Sequence, residues 1–177
     1  PANLNRNEFA FEKWKDWDEA LFEKIKSSQL NRVVSPEGKI YGFDKAPSAL
    51  EKSTTNIKNA GLEDFIKVNR ANFFYSQKMG DTPLHLLTNP PYGERLEGDI
   101  NELYKNFGDT LKRSYPNTQA WMISSNFEAL KFIGLRPSRK IKLFNGKLET
   151  RLCFFPIYEG TKKIHKLKNE DDKPSKN

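Results

Sequence analysis

The sequence has few of the residues that build cross-linked or metal-stabilised domains. Cys153 is its single cysteine, which excludes an internal disulfide framework and a cysteine-rich zinc site. Only two histidines occur, and no Gly-x-Gly triplet is present in the 177 residues. No apolar run approaches the roughly 20 residues that a membrane-spanning helix needs, and no signal peptide is recognisable. These absences predict a protein of the reducing cytoplasm, without a metal or a membrane partner.

Basic residues exceed acidic ones, with 30 Lys and Arg against 23 Asp and Glu and a net charge of +7. A basic balance of this kind favours an anionic partner, nucleic acid first. Part of the excess lies in residues 159–177, which we interpret as a charged, solvated tail. The alternative is that the charge serves solubility alone.

The apolar pattern predicts helices that alternate with strands. Helices are expected over residues 16–29, 47–61, 99–114 and 127–134, and strands over residues 39–44, 65–74, 83–89 and 120–126. An antiparallel hairpin around Asn145-Gly146 is expected to close the chain over residues 139–158. Alternation of helices and strands predicts an α/β fold with a mostly parallel sheet and a C-terminal antiparallel hairpin.

Polar side chains follow three successive predicted strands. Asp44 ends the first of them, Asn72 the second and Asn89 the third. Ligands of open α/β sheets bind outside the carboxyl ends of the strands. Each residue alone is an ordinary turn residue, but the three together predict a binding site at this edge of a sheet.

The stretch "HLLTNPPYGERL" over residues 85–96 places two prolines directly after an apolar strand. Pro90 and Pro91 carry no backbone N–H and hold their φ angles near −65°. The residue before a proline is also kept out of the helical region. The segment is therefore a stiff loop that offers carbonyl oxygens, the Asn89 amide and the Tyr92 ring to a ligand.

This motif resembles that of the amino-group methyltransferases that use S-adenosylmethionine. It is most similar to the bacterial 23S ribosomal RNA guanine-N2 methyltransferases, in which a THUMP RNA-binding domain precedes the catalytic domain. The similarity also includes residues 4–22, residues 41–62 and the closing hairpin, and it covers most of residues 1–158. The resemblance implies a Rossmann-like catalytic domain over residues 1–158, S-adenosylmethionine as cofactor and ribosomal RNA as partner.

The chain departs from this family in one respect. The Gly-rich signature of the type D-P-x-C-G-S-G-T, which lies on the family's first strand, is absent, and so is the THUMP domain. We therefore expect the chain to be the C-terminal part of a catalytic domain that lacks its first, central strand. We further expect such a fragment to bind the cofactor poorly and to associate with itself.

The resemblance also assigns roles in methyl transfer to the residues of the motif. Positive charge develops on an exocyclic amine as the new bond forms, and fixed acceptors stabilise it. The side-chain oxygen of Asn89 and the carbonyl of Pro90 are such acceptors, and Pro91 helps to hold them in place. Tyr92 would stack on a target base that has left its helix.

The same resemblance predicts the cofactor contacts. Asp44 corresponds to the acid that accepts hydrogen bonds from the ribose hydroxyls, and Lys45 follows it. Asn72 stands where the family often has an Asp that contacts the adenine amine. Phe73 either packs on the adenine or belongs to the core. Asn89 completes the predicted contacts.

Three other interpretations remain open. The chain could be a non-catalytic RNA-binding or scaffold fragment, or an adenine-N6 rather than a guanine-N2 methyltransferase. A proline-rich ligand is the third, although WW-type ligands need Pro-Pro-x-Tyr and Tyr92 follows Pro91 directly. His85 and Cys153 are expected in the core.

Overall fold

The computed structural model describes residue 6, residues 8–91 and residues 99–160. The chain divides between Asn72 and Phe73 into two compact units. The described strands form two sheets, one of two strands in the first unit and one of four strands in the second.

The first unit is built around a strand–helix–strand motif. Its α-helices are α1 (Glu19–Leu30) and α2 (Pro47–Asn59), and its strands are β1 (Ile40–Asp44) and β2 (Ile66–Arg70). The Asp18 carboxylate accepts a hydrogen bond of 2.9 Å from the Leu21 N–H and so begins α1. Pro47 occupies the first turn of α2, where its missing N–H is harmless. β1 and β2 pair in parallel.

The second unit carries the four-stranded sheet. Its strands are β3 (Leu84–Thr88), β4 (Thr118–Ser124), β5 (Arg139–Asn145) and β6 (Leu148–Ile157), and its helix is α3 (Ile100–Ser114). Short 3-10 helices span Phe73–Tyr75 and Ala129–Ile133. The order is β3-β4-β6-β5, in which β3 and β4 are parallel and the other pairs are antiparallel. The predicted closing hairpin is thus present, with Gly146 at φ 61° in its turn.

The core of the second unit lies between α3 and the sheet. Tyr104 and Leu111 of α3 are fully buried, and Met122 and Phe155 from β4 and β6 lie in the same apolar cluster. Gly108 lies against the backbone of Ile133, at the end of the second 3-10 helix. A side chain at position 108 has no room, so this glycine sets how closely α3 approaches that turn.

Two strands differ from their prediction. The strand expected over residues 65–74 ends at Arg70, and Phe73 begins a 3-10 helix instead. The sequence of residues 83–89 is so apolar that it predicts a strand buried on both faces, yet β3 turns His85 and Leu87 outward and leaves Leu87 77% exposed. The expectation that His85 is a core residue is therefore wrong. An apolar run alone cannot distinguish a strand covered on both faces from one covered on a single face.

Replacing Gly108 with alanine should destabilise the chain, although alanine is the better helix former. The added Cβ would overlap the carbonyl oxygen of Ile133, which is backbone and cannot rotate away. We expect the free energy of unfolding in urea to fall by about 1–3 kcal/mol, the usual cost of overpacking.

Asn106→Ala is the matched control, because Asn106 lies on the exposed side of the same helix. It should leave the stability unchanged or raise it slightly. A Gly108→Ala protein at least as stable as the unmodified chain would show that α3 does not approach the turn this closely.

Candidate functional site

The Asn89-Pro90-Pro91 segment begins where β3 ends. The parallel ladder pairs Thr88 with Met122, so the next residues, Asn89 and Pro90, follow alongside the last residues of β4. Pro90 is buried, whereas Asn89 and Pro91 are exposed. The buried ring anchors the segment, and the Asn89 amide makes no hydrogen bond with any described residue. Tyr92, the fourth member of the predicted motif, lies outside the described residues.

A chain of hydrogen bonds supports the neighbouring end of β4. The Tyr104 hydroxyl lies 2.6 Å from the Ser124 hydroxyl, and both side chains are fully buried. Ser124 Oγ also accepts a bond of 3.0 Å from the Asn126 N–H. The Asn126 side-chain oxygen in turn accepts from the Ala129 N–H at 2.9 Å. This network ties α3, β4 and the following 3-10 helix together beside the Asn89-Pro90 segment.

Tyr104 and Ser124 were not among the residues predicted for the site. The signal was present in "AWMISSN", where a serine stands at a position whose alternation with Ala120 and Met122 predicts burial. A buried hydroxyl needs a partner. No sequence pattern shows that the partner is a tyrosine twenty positions earlier.

Asp44 lies at the carboxyl edge of the two-stranded sheet and is exposed. One oxygen of its carboxylate accepts a bond of 2.7 Å from the Ala46 N–H, which holds the turn into α2. Its backbone oxygen accepts from the Ala71 N–H at 3.1 Å. The carbonyl of Lys45 accepts from the Arg70 guanidinium at 3.2 Å. The carboxylate is therefore held in a fixed direction while it remains open to solvent.

The structure brings some of the predicted residues together. Asp44, Lys45 and Asn72 belong to the same edge of the first unit, where Asn72 follows the Ala71 that bonds to Asp44. Phe73 stacks on Phe107, with ring centroids 4.4 Å apart, and on Tyr115 at 5.3 Å. Phe73 therefore packs in the core, which is one of its two predicted roles. Its contact with an adenine stays a prediction.

A cavity of about 710 Å³ lies at the other edge of the four-stranded sheet. Its lining includes Lys78, Arg113 and Asn117, near the points where β3 and β4 begin. Parallel α/β sheets bind ligands at the opposite, carboxyl edge. Its size therefore does not make this cavity the candidate site.

The described residues contain no group of three or more His, Cys, Asp or Glu side chains that could hold a metal ion. Within the same residues, no helix is long and apolar enough to cross a membrane.

Cys153 is buried on β6 between Met122 and Lys140 of the neighbouring strands. Burial raises the pKa of its thiol, and the nearby charges of Lys140 and Arg151 offset part of that rise. A raised pKa in the folded state stabilises the fold below the ordinary thiol pKa. That contribution is lost as the pH rises through the folded value.

Cys153 should therefore react slowly with iodoacetamide at pH 8 in the folded chain and fast in concentrated urea. Alkylation followed by mass spectrometry measures both rates, since the thiolate is the reactive form. Raising the pH should destabilise the fold as the thiol ionises. Equal labelling rates in the folded and unfolded chain would contradict the burial of this residue.

Comparisons with known proteins agree on one family. The model of the UPF0020 family, described as an RMKL-like methyltransferase domain, matches residues 2–153. The ribosomal RNA large subunit methyltransferase K/L of Shewanella oneidensis is 34% identical over 162 residues, which are 88% of this chain and 22% of that protein. The protein of the same name from Methylococcus capsulatus is 36% identical over 158 residues, 86% of this chain and 21% of its own length. The chain thus spans about a fifth of the length of these curated relatives.

The solved structure of SMU.472, described as a methyltransferase and complexed with SAH, is similar with a TM-score of 0.74 and 28% identity. The match covers 88% of this chain and 42% of that one. It confirms the predicted α/β, Rossmann-like fold class.

Proposed function

Because this chain belongs to the RMKL-like methyltransferase domain family, we propose that it is part of an enzyme that methylates ribosomal RNA. The methyl group would pass from S-adenosylmethionine to the exocyclic amine of a base, with guanine N2 as the proposed target. The observation that carries this proposal is the Asn89-Pro90 segment, an exposed amide next to a buried proline at the carboxyl end of β3. Cytoplasmic location is part of the same proposal.

Asn89 and Pro90 would act on the amine of the base. S-adenosylmethionine supplies a methyl group on a positively charged sulfur. The Asn89 side-chain oxygen and the Pro90 carbonyl accept the amine hydrogens and direct the nitrogen lone pair toward that methyl group. As the N–C bond forms and the S–C bond breaks, positive charge on the nitrogen is stabilised by these oxygens. One amine proton is then released to water.

The surroundings of this segment favour such a role. Acceptors contribute most when they are held in place before the reaction, because no energy is then needed to reorient them. The buried Pro90 ring and the Tyr104–Ser124 hydrogen bond hold the two neighbouring strand ends. Pro91 extends the stiff segment, and Tyr92 is the proposed stacking surface for the base.

The residues of the first unit fit a nucleoside. An exposed carboxylate with one oxygen already held by a backbone N–H suits the paired hydroxyls of a ribose. Asp44 is thus the proposed ribose ligand, with Lys45 beside it. Asn72 is the proposed acceptor for the adenine amine. Phe73 and Asn89 belong to the second unit, and their contacts with the cofactor stay predictions of the sequence.

Replacing Asp44 with asparagine should weaken the binding of S-adenosylmethionine by about 1–1.5 kcal/mol, the difference between a hydrogen bond to a charged acceptor and one to a neutral acceptor. The new amide oxygen can still accept from the Ala46 N–H, so the fold should be retained. Calorimetric titration of the product of the full reading frame measures the affinity. Asp64→Asn is the control, since it removes the same charge from an exposed residue before β2. Equal affinities for the two variants would contradict the ribose contact.

Replacing Asn89 with alanine should lower kcat by about 10²–10³-fold, the usual effect of losing one preorganised partner of the transition state. The affinity for S-adenosylmethionine should stay within a few-fold of the original. The assay uses the product of the full reading frame, S-adenosylmethionine labelled in its methyl group and deproteinised 23S ribosomal RNA. Asn106→Ala, on the exposed side of α3, is the control and should remain active.

Mass spectrometry of the digested RNA identifies the product. N2-methylguanosine supports the proposal, and N6-methyladenosine supports the adenine alternative. Absence of label, despite measurable cofactor binding, would favour a non-catalytic RNA-binding fragment. An active Asn89→Ala enzyme would remove Asn89 from the mechanism and leave the family activity intact.

Self-association is a separate proposal about the isolated chain. β1 leaves Ile40, Tyr41 and Phe43 half-exposed or more, at 60%, 50% and 58%. An exposed apolar strand of this kind is prone to pair with another chain.

A further inference from the structure

The region from Phe127 to Phe155 carries most of the net positive charge of the chain, +5 of +7. It contains seven basic and two acidic residues, whereas the whole chain has a net charge of +7. Both acids are already paired, Glu128 with Lys131 at 2.6 Å and Glu149 with Lys142 at 2.7 Å. The other basic residues make no ion pair with any described residue. They are Arg136, Arg139, Lys140, Lys147 and Arg151.

Part of this charge surrounds a small cavity of about 220 Å³, lined by side chains of the 3-10 helix Ala129–Ile133, the segments on either side of it, β5 and β6. We call it the basic pocket and define it by Phe127, Lys131, Lys140 and Arg151 at its rim. The Arg151 guanidinium lies over the Phe127 ring, 4.0 Å from its centroid. This stacking holds the guanidinium flat and leaves its edge available to an anion.

The apolar floor of the pocket includes Cys153 and Phe155. Lys140 and Arg151 lower the pKa of the Cys153 thiol against the effect of burial. The electrostatic effect of Lys140 and Arg151 therefore reaches the thiol at the floor of the cavity. An anion in the pocket would meet the positive charges of Lys140 and Arg151 beside the apolar side chains of Cys153 and Phe155.

The pocket lies at the same edge of the sheet as the Asn89-Pro90 segment. Arg151 pairs with Ser124, the last residue of β4, and Asn89 follows the neighbouring strand β3. Two strand spacings therefore separate Arg151 from β3, about 10 Å. A polymer that places one base at Asn89 would pass near the pocket.

β5 extends the charged surface away from the pocket. All of its residues are exposed, and it is the edge strand of the sheet. Lys140, Lys142 and Phe144 alternate along one side, and Lys142 lies 5.1 Å from the centroid of the Phe144 ring. Lys142 is already paired with Glu149, so Lys140 is the cation of this side that is available to a phosphate. The Phe144 ring is 64% exposed and can stack on a base of a single strand.

We propose that the basic pocket and the side of β5 that carries Lys140, Lys142 and Phe144 bind the RNA strand next to the target nucleotide, mainly through its phosphate backbone. This inference rests on the proposed function, because RNA is the substrate assumed there. It adds a second contact surface, which positions the strand while Asn89 and Pro90 act on the amine.

Fluorescence anisotropy with a labelled single-stranded oligouridine of 15 nucleotides tests the proposal on the 177-residue chain without cofactor. Each phosphate contact to a single strand contributes about −0.7 to the slope of log affinity against log salt. Lys140→Gln and Arg151→Gln should each make the slope less negative by about 0.7. This corresponds to about fivefold weaker binding at 0.1 M salt if the proteins bind equally at 1 M.

Arg113→Gln is the matched control, because it removes the same charge from the end of α3, at the opposite edge of the sheet. It should bind like the original chain. Lys140 is exposed and makes no ion pair with a described residue, so its variant should fold, as circular dichroism would verify. Arg151→Lys should keep the slope but bind more weakly, since the stacked guanidinium is lost.

Unchanged slopes for both pocket variants, or an equal change in Arg113→Gln, would overturn the inference. The methyl-transfer assay is independent of this result. If the pocket variants bind RNA normally and the enzyme still transfers methyl groups, the proposed role of the basic pocket is refuted and the proposed function is retained. Altered slopes without methyl transfer would refute the proposed function alone.

Discussion

The buried hydrogen bond between Tyr104 and Ser124 is the interaction on which the arrangement of the second unit depends. It joins α3 to the last residue of β4. Through the Asn126 N–H it also sets the path into the next 3-10 helix. Such a bond contributes only about 1 kcal/mol net, but leaving one hydroxyl buried and unpaired costs about 1–3 kcal/mol. The end of β4 is thereby confined to one position.

Both proposed contact surfaces are defined relative to that position. On one side of β4, the parallel ladder brings Asn89 and Pro90 alongside its end. On the other side, the antiparallel ladder places Arg151 opposite Ser124. The acceptors for an amine and the cation for a phosphate are thus carried by the two strands that flank β4. A shift of one residue in the ladder between β4 and β6 would turn Arg151 to the opposite face of the sheet. The same shift between β3 and β4 would turn the residues of β3 in the same way.

Much of the fold could be predicted from local signals in the sequence. Pro47 marks the start of α2, and Asn145-Gly146 locates the hairpin turn. The helix expected from residue 16 begins at Glu19, after the Asp18 cap. The motif after β3 indicated the methyltransferase fold, which the comparisons confirmed. These features depend on residues close together in the chain, and their physical causes are local.

The features that were not predicted depend on contacts between distant residues. His85 alternates with apolar residues, yet which face of β3 is covered is decided by elements far along the chain. Glycine is a poor helix former, so the sequence gives no reason for Gly108 inside α3. The reason is the Ile133 carbonyl, which leaves no room for a side chain at this position. The Tyr104–Ser124 pair joins residues 20 positions apart, and the Arg151–Phe127 stack joins residues 24 positions apart. No periodicity encodes such pairs.

The exposed edge strand β5 has a consequence for solubility. An unpaired strand edge offers N–H and C=O groups to the same strand of another molecule. Arg139, Lys140 and Lys142 place positive charges along this edge, so two copies that approach edge to edge repel each other. A polyanion that neutralises these charges would remove the repulsion. Lys140 and Lys142, which suit a nucleic acid, therefore have a second effect. They oppose the pairing of β5 strands from neighbouring molecules into a continuous sheet.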